Sequence, residues 1–142
     1  MSGKILVATD GSPLAERAVR YAVETFPDAS VTTIHVIDPV DAVIAAEAGG
    51  LPEAEVWFDD ARERAAAIHE AAEAIAAEYG VELDSATVVG RPGREILDYA
   101  EEHDIDQIVV GSHGRRGLDR AIFGSVAETV MRRGRRPVTV IR

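Results

Sequence analysis

Lys4-Ile5-Leu6-Val7-Ala8-Thr9 runs directly into Asp10-Gly11-Ser12-Pro13. The first six residues are a short apolar run with β-branched members, the make-up of a buried strand. The next four read as a turn closed by an N-cap, Ser12, with Pro13 at the first helical position. Leu14, Ala18, Tyr21, Ala22 and Thr25 then recur at helical spacing until Pro27-Asp28 ends the pattern. A strand delivered straight into a helix is half of a β-α-β unit, and the rest of the chain repeats it. Apolar runs predict further strands at residues 31–37, 85–89, 106–110 (with Gly111 breaking the run) and 137–141. Residues 59–79 predict a helix with Ala65, Ile68, Ala72 and Ile75 on one face and Gly80 as C-cap. Gly90-Arg91-Pro92-Gly93 opens another helix, carrying Ile96, Leu97 and Ala100. Residues 125–133 form the last, with Ser125 and Glu128 spaced as a capping box and Val126 and Val130 on one face. Residues 39–58 contain Gly49-Gly50-Leu51-Pro52 and read as a flexible excursion with one short helix at 41–48. The expected architecture is α/β: a single doubly wound domain over residues 1–142, its five-stranded parallel sheet joined by right-handed crossovers.

Ligands of such sheets bind beyond the carboxyl ends of the strands, where the strand order reverses. With the order 3-2-1-4-5 that point lies between strands 1 and 4. The chain leaves those strands through Ala8-Thr9-Asp10-Gly11-Ser12 and Gly111-Ser112-His113-Gly114, two polar, glycine-containing exits. Gly111 and Gly114 let backbone N–H groups approach an anion with no Cβ in the way. Gly124-Ser125 opens a helix whose free amides and dipole point at the same space, and the Ser125 hydroxyl can donate to a phosphate oxygen. Arg115 and Arg116 lie between the two glycine elements. Each glycine alone reads as a turn residue, but together they describe a phosphate site. Val126 belongs to the same helix opening.

Other phosphate chemistries fail on spacing. The chain has neither a G-x-x-x-x-G-K-[ST] loop nor a G-x-G-x-x-G fingerprint. A phosphoacceptor receiver needs an acidic pair after strand 1, an Asp after strand 3 and a Lys after strand 5. Thr9-Asp10, Gly90 and Arg142 stand there instead. No Ser/His/Asp set is spelled out, so no catalytic residue is assigned. His113 can lend a hydrogen bond to a phosphate. His35 lies inside a strand and reads as packed; His69 and His103 lie on helices and read as surface. Their spacing predicts no metal cluster.

Composition narrows the classes. The chain has 142 residues, no cysteine and a net charge of −10, which excludes thiolate chemistry and argues against nucleic acid or anionic membranes as partners. The N-terminus reaches Asp10 before any signal-peptide core forms, and no apolar stretch approaches ~18 residues. The expected location is the cytoplasm. Lys4 is the only lysine among 15 basic residues, and this acidic, arginine-biased composition fits either a salty cytoplasm or a GC-rich genome. Charge is unevenly placed: eight arginines between Gly111 and Arg142 face only Asp119 and Glu128, a local net of +6. Residues 137–141 form a sheet edge with apolar residues on both faces and only Arg142 to blunt it, so a homodimer through this strand is expected.

Ala8-Thr9-Asp10, His35-Val36-Ile37-Asp38 and Gly111-x-x-Gly114-x9-Gly124-Ser125 together resemble the universal stress protein family, in order and over the whole chain. The split glycine motif is that of its nucleotide-binding branch. The resemblance implies a flavodoxin-like (Rossmann-like) domain, usually a homodimer, that binds ATP at the switch point. By the same resemblance, Asp10 holds the ribose or adenine side and the Val36 backbone receives the adenine. Gly111, His113, Gly114, Gly124, Ser125 and Val126 cradle the phosphates, often with a divalent ion such as Mg or Mn. An ATP-binding stress-response regulator is the leading expectation; a slow ATP hydrolase and a chaperone-like dimer with a vestigial site are the alternatives. Asp119 is the one carboxylate beside the phosphate motif, with no Gln or Asn there to orient a water, so the sequence favours binding over turnover.

Overall fold

A computed structural model describes residues 3–47, 49, 54–113 and 124–142. Its strands are β1 (Lys4–Ala8), β2 (Ser30–Ile37), β3 (Leu83–Val89), β4 (Gln107–Gly111) and β5 (Val138–Ile141). Its helices are α1 (Pro13–Thr25), α2 (Val40–Glu47), α3 (Ala54–Ala77), α4 (Pro92–Glu102) and α5 (Ser125–Arg133). The strands form one sheet in the order β3-β2-β1-β4-β5, and every pairing is parallel. This is the flavodoxin-like, Rossmann-like arrangement, with a helix layer on each face.

Alternation along the strands builds the two layers. Ile5, Val7, Val31 and Val109 point to one face and pack with Ala18, Val19 and Ala22 of α1 and Ala72 and Ile75 of α3. Leu6, Ile34 and Ile108 point to the other and pack with Ile96 and Ala100 of α4 and Val130 of α5. The inward face of α1 is Ala15, Ala18, Val19, Ala22 and Val23; Leu14 is half-buried and Thr25 exposed. The expected face was therefore rotated, because the small residues allow α1 to lie close to the sheet.

Several boundaries moved for physical reasons. α3 starts at Ala54 rather than 59, because Trp57 and Ala61 pack onto Ile37 at the end of β2 and extend the helix backward. The expected flexible excursion over 39–58 is thus largely two helices, with residues 48 and 50–53 outside the described residues. β3 begins two residues early, in register with Val31. Gly111 does not break β4; it is the last residue of that strand and pairs with Ile141.

His69, expected on the surface, is buried at 6% exposure. Its Nδ1 lies 2.9 Å from Thr33 Oγ1 and its Nε2 3.1 Å from Thr87 Oγ1, so one ring joins α3 to β2 and β3. Desolvation by burial, with the nearby His35 adding to it, holds its pKa below histidine's ordinary 6.5. His103 is exposed as expected and stacks on Tyr99 at 3.8 Å. Among the described residues, no helix is long and apolar enough to cross a membrane.

Candidate functional site

The exit from β1 is held by its own side chains. The Ser12 amide donates to Asp10 Oδ1 at 2.9 Å, an Asx turn, and the Gly11 amide to Thr9 Oγ1 at 3.4 Å. Ser12 Oγ then accepts from the Ala15 amide at 3.2 Å, the N-cap expected from sequence. Gly11 sits at φ +80, and a Cβ there would stand 3.1 Å from Ile68 Cγ1, so the turn needs glycine twice over.

The exit from β4 works differently. The Ser112 amide donates to the Ile141 carbonyl at 2.7 Å, and the Ser112 carbonyl accepts from the Gly124 amide at 2.6 Å. The chain therefore leaves and re-enters through a neck. Gly124, at φ −66 and ψ 164, is the N-cap of α5 and offers no side-chain cap. The expected capping box is thereby corrected: Ser125 is the first helical residue, one position too late to cap, and Glu128 pairs instead with Arg132 at 3.1 Å. Helix geometry leaves the amides of Ser125, Val126 and Ala127 without an acceptor inside α5. A Cβ on Gly124 would stand 3.2 Å from His113 Cα, close to the mouth of that helix.

Between the two exits opens a cleft of about 1190 Å³. It brings together Ala8, Thr9, Asp10, Val36, Gly111, His113, Gly124, Ser125 and Val126, nine of the residues singled out in the sequence. Ser112 is buried, its backbone in the neck and its Oγ 3.2 Å from His113 Nδ1, so it frames the cleft from behind. Gly114, Arg115 and Arg116 lie outside the described residues.

Sequence reasoning missed part of the wall. His35 lines the cleft, and its Nδ1 sits 2.9 Å from the Thr9 carbonyl. A carbonyl only accepts, so Nδ1 carries a proton and donates to it. This bond ties β2 to the β1 exit. Trp57, Ala61 and Ile68 of α3 form an apolar wall, and Arg91 and Arg94 come from the β3–α4 connection and α4. A signal for these was available. In a parallel sheet every strand-to-helix turn opens at the same end, which places Arg91, two residues after β3, beside the exits already chosen. Asp10 and Asp38 stand just beyond β1 and β2 and Asp41 lies in the first turn of α2, while Arg64, Arg94 and Arg133 come from the helices and Arg91 from the β3–α4 connection. Among the described residues, no group of three or more His, Cys, Asp or Glu side chains could hold a metal ion.

The profile of the universal stress protein family matches residues 1–142. Universal stress protein MJ0531 of Methanocaldococcus jannaschii is 34% identical over 143 residues, covering 98% of this chain and 81% of that protein. The solved structure of MJ0577, also from M. jannaschii, superposes with a TM-score of 0.82 at 31% identity, covering 98% of this chain and 94% of that one. A universal stress protein of Archaeoglobus fulgidus, solved in complex with dAMP, superposes with a TM-score of 0.67 at 27% identity, covering 100% and 98%. With the match running from end to end and the sheet order in agreement, this chain belongs to the universal stress protein family.

Proposed function

We propose that this protein is a nucleotide-responsive regulator that binds an adenine nucleotide, with ATP preferred, at the carboxyl end of the sheet between β1 and β4. The observation that carries the reading is the α5 N-terminus: a glycine N-cap without a side chain, amides with no acceptor inside the helix, and a cleft in front of them. The dAMP complex of the A. fulgidus relative supports adenine as the base. In this reading the Val36 backbone meets the adenine and Asp10 the ribose side, with Ala8 and Thr9 forming the floor. Gly111, His113, Gly124, Ser125 and Val126 surround the phosphates together with Gly114, Arg115 and Arg116. With its hydroxyl released from capping, Ser125 is available as a phosphate donor. A Mg or Mn ion would be held chiefly through the phosphates, which supply hard oxygen ligands.

Homodimerisation through β5 is part of the same reading. All four residues of that edge strand are half-buried, so both faces remain partly open to a partner strand. A cytoplasmic location fits a chain that senses a nucleotide.

The test is to extract the small molecules that copurify with the protein, titrate ATP and AMP by calorimetry, and follow ATP over hours by chromatography. ATP binding more tightly than AMP, and persisting uncleaved, is the expected result. Equal affinities would reduce the reading to adenine recognition, ADP accumulation would favour the hydrolase, and no binding of either nucleotide would sink it. Light scattering that reports a monomer at micromolar concentration would remove the dimer.

A further inference from the structure

We propose that His35 is a positioning residue for the nucleobase: by holding the Thr9 carbonyl, it keeps the backbone edge of Val36 open to adenine. The β1–β2 ladder decides which groups are in play. The Ser30 amide donates to the Gly3 carbonyl at 2.8 Å, and the Thr9 amide to the Ile34 carbonyl at 2.9 Å. Alternate residues of a strand turn their N–H and C=O toward the same neighbour, so Ser30, Thr32, Ile34 and Val36 all face β1. Ile37 faces β3, and just past that strand its carbonyl accepts from the Gly90 amide at 3.0 Å. The register with β1 ends at Ala8 and Ile34. One more rung would join the Val36 amide to the Thr9 carbonyl. Among the described residues that rung is not made; the Thr9 carbonyl accepts instead from His35 Nδ1 at 2.9 Å.

Two consecutive residues thus divide the work. The Val36 side chain packs against the core on the α4 side, while its N–H and C=O face the gap left where β1 turns away at Asp10 and Gly11. His35 lies on the α3 face, two residues after Thr33, and reaches across to the β1 exit with its ring. Both residues line the cleft. A strand edge with one open donor and one open acceptor suits adenine, whose N6 amino group lies beside a ring-nitrogen acceptor. Thr9 is buried at 6% exposure, and a buried carbonyl needs a partner. Without the His35 ring, the ladder would supply that partner from the Val36 amide. The edge would close by one rung and lose its donor. This role for His35 rests on the reading that Val36 meets the base.

The test compares His35→Leu, which removes the donor, with His35→Asn, which returns an N–H at the same branch point of the side chain. Calorimetry should show ATP, AMP and adenosine all weakened about tenfold by His35→Leu, with the ATP-to-AMP ratio unchanged. His35→Asn should recover most of that loss. Amide hydrogen exchange followed by NMR supplies a measurement without ligand. In the free parent Val36 should exchange faster than Thr9, whose amide is bonded, and in His35→Leu it should become protected. A His35 that only supported the fold would lower the melting temperature without protecting Val36. Full binding by His35→Leu, or His35→Asn as weak as His35→Leu, would overturn the proposal, and so would a Val36 amide already protected in the free parent. If His35→Leu does not fold, the exchange of Val36 in the parent and in His35→Asn decides. A parent that binds none of the three ligands would sink the nucleotide reading, whereas the Val36 exchange rates would still decide whether His35 holds the edge open.

Discussion

The two exits that frame the cleft solve the same problem in opposite ways. At the β1 exit the chain satisfies its own amides: Asp10 and Thr9 side chains accept from Ser12 and Gly11, and Ser12 caps α1. What that exit presents outward is a carboxylate and a closed turn. At the β4 exit the N-cap is a glycine with no oxygen to offer, and the first-turn amides of α5 remain open. One exit therefore carries a turn whose amides are already paired, and the other a helix N-terminus whose first amides have no acceptor within α5.

That contrast can be attacked from either side. The largest effect is expected at Gly11, whose φ of +80 a β-branched residue adopts only under strain. Gly11→Val should destabilise the fold by ~1–3 kcal/mol in urea unfolding, with crowding against Ile68 adding to it; an unchanged midpoint would mean that the turn is not held as described. Next is Gly124→Val. Because φ −66 and ψ 164 suit valine, stability should largely survive. The new side chain would crowd His113 at the mouth of α5, and ATP affinity should fall about tenfold, ~1.4 kcal/mol. Ser12→Ala is the counterpart at the other exit: ~1 kcal/mol of stability lost with the cap, and the ATP-to-AMP affinity ratio unchanged. Matching effects of Gly124→Val and Ser12→Ala on that ratio would erase the distinction between the walls.

The smallest effect concerns His69, which joins α3 to β2 and β3. Its folded pKa lies below the unfolded value of about 6.5. As pH falls through that window the unfolded chain takes up a proton that the folded chain refuses, so stability falls and levels off below the folded pKa. His69→Gln, which keeps a donor and an acceptor, should flatten the acid limb of a melting-temperature profile. An identical limb in the variant would assign the pH response elsewhere.

Strands were legible because buried parallel strands are near-continuous apolar runs, and β1 and β4 are of that kind. What escaped the sequence depends on register and on what lies across a gap. Nothing local tells His69 that Thr33 and Thr87 will stand on two strands within reach of its two nitrogens. Gly111 extends β4 only because β5 supplies Ile141 beside it. The α3 start was obscured by the neighbouring glycines and proline, whereas Trp57 finds its place through Ile37, twenty positions earlier. Part of the cleft was readable from two exits, but His35 was read as packing alone, since a strand residue near the carboxyl end can serve both the sheet and its rim.

The neck between Ser112 and Gly124 also bears on how this scaffold can be re-engineered. A 2.6 Å bond pins the β4 exit to the α5 N-cap, so the two ends of any insert placed between them are already held together. Doubling the length of a loop closed in this way costs only about 0.6 kcal/mol in closure entropy. A fluorescent or ligand-sensing insert there is expected to leave β4 and α5 in place, which the melting curve of such a chimera would show.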